Sequence, residues 1–226
     1  MNKVAMKLLA GAALLAGAGT AANAVVIPDI VATGTFFSDH CTGGCGDGSA
    51  TGQPGGFATI TATDHNNGTI DISIVLNNGN TFANGGQDVV FGFNLVNNPT
   101  ITYSNLNASF LANFDVAGTA TLVQNAGALA ADGFGNFEYG VEGLYKGSNG
   151  PTSLSFTISG TGLTIASFAE LTNNPPGDTQ AFMGLDIASG TQFNAQGAPN
   201  TGFVDLSLSL NQTWLFPTPQ LQRVKG

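Results

Sequence analysis

Positive charge is what this sequence has least of. Only 5 of its 226 residues are Lys or Arg, against 14 Asp and Glu. Nucleic-acid binding needs clustered Lys and Arg to meet phosphates, so that class is excluded. Anionic substrates and anionic membrane surfaces are disfavoured for the same reason. Divalent cations, neutral sugars and protein surfaces remain. Charge of either sign is rare, at 8% of residues, where a soluble domain carries about 25%. The polar surface must therefore come from Asn, Thr, Ser and Gln. With 32 Gly, that composition disfavours long helices, because these residues are poor helix formers.

Catalytic residue types are also scarce. His40 and His65 are the only histidines. A Ser-His-Asp device would have to use one of them, yet no Gly-x-Ser-x-Gly elbow is present. Both lie in polar, turn-like stretches, where a solvated side chain is expected. Glu138 and Glu142 look like a glycosidase pair. Four residues of strand separate them by roughly 13 Å at about 3.3 Å per residue, beyond the about 5–9.5 Å that such chemistry requires. No catalytic residue is assigned, and the chain reads as a non-enzyme.

The one long apolar run lies at the start. Lys3 and Lys7 precede Leu8 to Ala16, and Ala22-Asn23-Ala24 fits the small-x-small cleavage pattern. These are the three regions of a signal peptide, with cleavage expected between Ala24 and Val25. The run is too short and too rich in Gly and Ala to span a membrane. Losing Lys3 and Lys7 takes five basic residues to three, Lys146, Arg223 and Lys225, and the formal charge from −9 to −11. Residues 25–212 are expected to form one domain and 213–226 a short tail without fixed structure, with Trp214 as the last core residue.

Cys41 and Cys45 are the only cysteines. An exported chain meets an oxidising compartment, where a disulfide is the expected state. Thr42-Gly43-Gly44 can turn tightly enough to bring the Cα atoms within about 5.5 Å. The alternative is a metal site of His40, Cys41 and Cys45 with Asp39 or Asp47, although structural zinc normally has four ligands at familiar spacings. Asp64-His-Asn66-Asn-Gly68-Thr-Ile-Asp71 begins like a calcium loop but has Thr69 where Gly is needed. Calcium stays open with no site named, and no other cofactor is expected.

Alternation dominates the remainder. Ile70, Ile72 and Ile74 alternate with Asp71 and Ser73. Phe91, Phe93 and Leu95 alternate with Gly92 and Asn94. Period two sends one set inward and the other toward water, and Asn77-Asn-Gly-Asn80 is turn chemistry. An antiparallel pair is expected here. Further strands are expected near 25–37 (an edge), 57–63, 100–103, 119–123, 136–145 (Phe137, Tyr139 and Val141 on one side), 153–159, 163–171, 180–187 and 201–210. Residues 126–131 read as a loop. The pattern predicts an all-β protein, an antiparallel, jelly-roll-like β-sandwich of about ten strands.

The leader, the Asn/Gly/Thr-rich strands, the stretch Gly150-Pro-Thr-Ser-Leu-Ser-Phe-Thr-Ile-Ser-Gly-Thr-Gly162 and Asn200-Thr-Gly-Phe-Val204 together resemble bacterial exosortase substrates, the PEP-CTERM exported proteins. The tail departs from that pattern. Pro217-Thr218-Pro219 and a basic end are present, but the Glu and the apolar span are not. The resemblance implies a secreted or surface β-domain associated with biofilm or exopolysaccharide matrix, without a stable membrane anchor. The expected role is structural or adhesive, with a protein or exopolysaccharide partner. The alternative is a secreted carbohydrate-binding module, working with or without calcium.

Overall fold

The computed structural model describes residues 27–46, 52–83, 89–110, 121–131, 133–142, 150–172 and 180–206. The expected leader with its Ala24–Val25 cleavage site, Asp47, Lys146, the expected turn at 173–178, Trp214 and the expected tail lie outside the described residues. Twelve strands occur among those described: β1 (Ile30–Phe36), β2 (Ser38–Asp39), β3 (Ala58–Asp64), β4 (Thr69–Leu76), β5 (Thr81–Phe82), β6 (Val89–Phe93), β7 (Thr102–Ser104), β8 (Thr121–Ala131), β9 (Gly135–Glu142), β10 (Ser153–Ser159), β11 (Met183–Phe193) and β12 (Pro199–Leu206). They form two antiparallel sheets. The first has five strands in the order β1-β3-β4-β10-β7. The second has seven, β2-β12-β11-β6-β9-β8, with β5 also on β11. This is the expected all-β sandwich, and β1 is an edge strand as expected.

The inner faces make the core. Ile60, Ile70, Ile72, Ile74, Leu154, Phe156 and Ile158 from the first sheet meet Phe91, Phe93, Tyr139, Val141, Met183, Leu185 and Val204 from the second. Alternation holds best in β4, where Ile70, Ile72 and Ile74 are buried and Asp71, Ser73 and Val75 exposed. Burying an aliphatic or aromatic side chain contributes about 1.5–3 kcal/mol, so strands with one apolar face are held in register by that face.

Four expectations are corrected. First, β4 and β6 are not partners. β4 lies between β3 and β10, and β6 between β11 and β9. The Asn77–Asn80 turn closes with the Asn80 N–H on the Asn77 carbonyl at 2.9 Å and hands the chain to β5 in the other sheet. Second, residues 163–171 do not form a strand. Ile165–Phe168 is one 3-10 turn, whose first N–H donates to the buried Asp64 carboxylate at 3.2 Å. Its spacing of three lets Ile165 and Phe168 plug the same core. Third, β8 runs through 126–131. Its ladder with β9 shifts register between Gln124 and Leu129.

Fourth, the outer face of β6 is not wet. Gly92 pairs with Gly140 on one side and Gly184 on the other. Together they form a floor of glycines across three strands. The Phe137 ring lies on that floor: a Cβ at Gly92 would meet its Cγ at 2.6 Å, and one at Gly184 its Cε2 at 2.9 Å. Phe137 therefore belongs to a second, smaller core with Phe134, Leu129 and Phe203, apart from Tyr139 and Val141. Asn94 is also buried, its side-chain oxygen accepting the Glu138 N–H at 2.8 Å.

Candidate functional site

Two polar centres stand out, one on the outer face of the first sheet and one at the disulfide. The first begins with the β3–β4 hairpin. Asn66 and Gly68 adopt positive φ, 55° and 82°, which Asn and Gly tolerate. The turn places His65 between two carboxylates, its Nδ1 at 3.0 Å from Asp29 and its Nε2 at 3.0 Å from Asp71. The other oxygen of Asp71 accepts the Thr157 hydroxyl at 2.6 Å, and Asn105 donates its amide to Thr157 at 3.1 Å. His65 is thus a bridge rather than a free surface ring. Asn66 adds a bond to the Pro28 carbonyl at 2.7 Å, so the hairpin clamps the segment that leads into β1.

The two carboxylates raise the His65 pKa above 6.5, chiefly through hydrogen bonds to Asp71 and Asp29. The Thr157 hydroxyl and then His65 lower that of Asp71. A raised folded pKa means the His65 contribution is complete below the unfolded value of about 6.5. It fades as pH rises through the folded value. The Asp71 contribution runs oppositely, present above its unfolded value and lost as pH falls through the folded one. All three groups are partly exposed, so the stability effect is small and screened by salt. The sharper readout is the imidazole itself. NMR titration is expected to put His65 above the ordinary histidine range, and Asp29→Asn to lower it. An unchanged midpoint in that variant would refute the bridge.

This arrangement is not a hydroxyl–imidazole relay. Thr157 donates to a carboxylate, and both ring nitrogens of His65 face carboxylates. The calcium-like stretch does not close around one point either. Asp64 is buried on the inner face, accepting N–H groups from Asn66 and Ile165, whereas Asp71 stands on the outer face.

Around Asp71 the outer face forms a groove of about 310 Å³, lined by Thr61, Thr63, Ser73, Asn105, Ser155 and Thr157, with the core residues Ile72 and Phe156 behind them. The register lines these side chains up across strands: Thr61 opposes Ser73, Ser73 opposes Ser155, Thr63 opposes Asp71, and Asp71 opposes Thr157. Among the described residues there is no Lys or Arg at all.

The second centre is the Cys41–Cys45 disulfide, with Cα atoms 5.5 Å apart. Asp39, at the end of β2, holds the loop from beneath. One carboxylate oxygen accepts the Cys41 N–H, and the other accepts those of Cys45 and Gly46, all at 2.8 Å. Asn200 donates to the Gly44 carbonyl at 2.7 Å, and the buried Gln53 donates to the Cys45 carbonyl at 2.8 Å. Ligand atoms of Asp39, Cys41 and Cys45 do lie within 4.8 Å of one another. The sulfurs are bonded to each other and the carboxylate accepts three backbone N–H groups, which is the geometry of the disulfide reading. His40 packs instead on Phe134, ring centroids 4.4 Å apart.

Glu138 accepts the Asn98 amide at 3.1 Å. Burial, with the Glu170 charge, raises its pKa. Beneath it Tyr139 is pushed up to about 12, again mainly by burial. Glu142 sits at the far end of β9 opposite Val89 and Thr121. Sequence reasoning singled out His65 and Asp71 but not the groove, because Thr61, Ser73 and Ser155 look like ordinary outward strand residues until the register aligns them. No protein-family model matches the chain, and neither a curated protein nor a solved structure does.

Proposed function

We propose that this chain is an exported, non-enzymatic β-sandwich with a structural or adhesive role at the cell surface or in the extracellular matrix. The observation that carries the reading is a stapled sandwich whose polar face is built from hydroxyls and amides without Lys or Arg among the described residues. Such a face meets neutral, hydrated partners and repels anionic ones. The disulfide suits an oxidising compartment, and the leader and the likeness to exosortase substrates point the same way. Among the described residues no helix is long and apolar enough to cross a membrane.

Two measurements test this. Mass spectrometry of material from the medium or cell surface is expected to find a chain beginning at Val25. Deleting the gene is expected to change cell aggregation, surface composition or biofilm mass, and restoring it in trans to reverse the change. Cytosolic protein with its leader attached, or a deletion strain with unaltered surface behaviour, defeats the proposal.

A further inference from the structure

We infer that the groove on the outer face of the first sheet is a binding site for a neutral polyhydroxylated chain, a polysaccharide without charged groups. This rests on the surface role proposed above and names the partner of that face. Three observations carry it. The groove is concave, and its volume of about 310 Å³ falls at the lower end of the range for small-ligand sites. Its polar lining consists of the hydroxyls of Thr61, Thr63, Ser73 and Ser155, which donate and accept, the Asn105 amide and the Asp71 carboxylate, with Ile72 and Phe156 behind them. Strands about 4.8 Å apart repeat these groups at close to the length of one sugar ring.

The third observation is how Asp71 is held. Its two oxygens accept from different partners, one from the Thr157 hydroxyl at 2.6 Å and the other from His65 Nε2 at 3.0 Å. Those two contacts fix the carboxylate in one orientation with acceptor lone pairs to spare. A preorganised acceptor of this kind suits ligand hydroxyls, because little ordering remains to be done on binding. An anionic ligand would face the Asp71 carboxylate with no Lys or Arg among the described residues to receive it, which disfavours acidic polymers.

The groove has no exposed aromatic ring. Among the described residues the one large exposed aromatic is Phe193, at the far end of β11 and not among the lining residues. Binding therefore depends on hydrogen bonds that must replace water on both sides, and these contribute little net. A single site binds weakly, and a repetitive polymer multiplies it through many copies. That is the behaviour of an adhesive matrix protein rather than of a receptor for a small sugar.

The experiment is affinity electrophoresis of the mature protein in native gels containing dextran, soluble starch, galactomannan or xyloglucan, with dextran sulfate as the anionic control. At least one neutral polymer is expected to retard the wild-type protein, and dextran sulfate is not. Ser73→Val with Ser155→Val removes two lining hydroxyls while keeping strand-forming side chains, and is expected to weaken retardation at least about tenfold. Thr33→Val, on the same face outside the groove, is expected to leave it unchanged. Amide NMR shifts on adding the retarding polymer are expected to cluster at Thr61, Ser73, Asn105 and Ser155. Silence across all four polymers overturns the inference, as does retardation that survives the double substitution or is matched by dextran sulfate. If the polymers are silent yet gene deletion still alters aggregation, the groove reading falls and the surface role stands.

Discussion

Phe93→Ala is expected to remove about 4–5 kcal/mol of unfolding free energy, the upper end for a buried aromatic. Phe93 is fully buried at the centre of the core. Its ring lies 5.4 Å from Phe91, 5.4 Å from Tyr139 and 5.6 Å from Phe168. Phe156 is the fourth neighbour, at 6.5 Å. Each such pair adds about 0.5–1.5 kcal/mol beyond area burial. The cavity opens among rings from both sheets and from the 3-10 turn, so no single element can shift to fill it. For a domain of this size 1 kcal/mol moves the melting temperature by about 2–4 °C, which predicts a fall of about 8–20 °C. Urea unfolding should show a lower midpoint at unchanged slope. Phe193→Ala is the control. That side chain is 55% exposed, and its loss should change stability by no more than about 0.5 kcal/mol. Equal effects from the two substitutions would contradict the packing described.

Asp39→Ala is expected to cost about 3 kcal/mol, more than deleting the disulfide it supports. Its carboxylate receives three backbone N–H groups, from Cys41, Cys45 and Gly46. A hydrogen bond to a charged group contributes about 1.5–3 kcal/mol, and partial access of water to the loop keeps the sum below three full bonds. The disulfide closes a ring of only five residues, for which the chain-entropy model gives at most about 2 kcal/mol. Asp39→Asn, keeping one acceptor oxygen, should fall about midway. The ordering is checked by denaturant unfolding of Asp39→Ala, Asp39→Asn and the double variant Cys41→Ser with Cys45→Ser. A double cysteine variant less stable than Asp39→Ala would reverse the assignment of what holds the loop.

Much of the molecule was readable along the chain. Ile70, Ile72 and Ile74 in β4 and Leu154, Phe156 and Ile158 in β10 declare their buried face by period two alone. The disulfide followed from two cysteines, a Gly-Gly turn and the expectation of export. Misreadings arose where a local pattern had a non-local cause. Residues 163–171 alternate well enough for a strand, but the Asp64 carboxylate captures the Ile165 N–H and a turn of period three results. Gly92 and Asn94 look outward and polar. The aromatic ring of Phe137 and the backbone of Glu138 cover them. His65 reads as a solvated turn residue, since Asp29 and Asp71, its two partners, come from different strands or their flanks.

Composition and alternation by themselves determined the class of this protein: strands with one apolar face, a surface poor in cations, and a short cysteine ring. These are properties of each segment and its immediate solvent preference, and they need no partner to be defined. Which strands became neighbours was decided only by the folded whole. β4 chose β3 and β10 over β6, and Phe137 chose the glycine floor over the main core. Such choices are settled by packing between residues far apart in sequence, while the entropy of closing one loop instead of another differs by only about 0.6 kcal/mol per doubling of length. The hydroxyl groove is a product of that second kind of decision, since Thr61, Asp71, Ser73 and Ser155 line one surface only once three strands lie side by side.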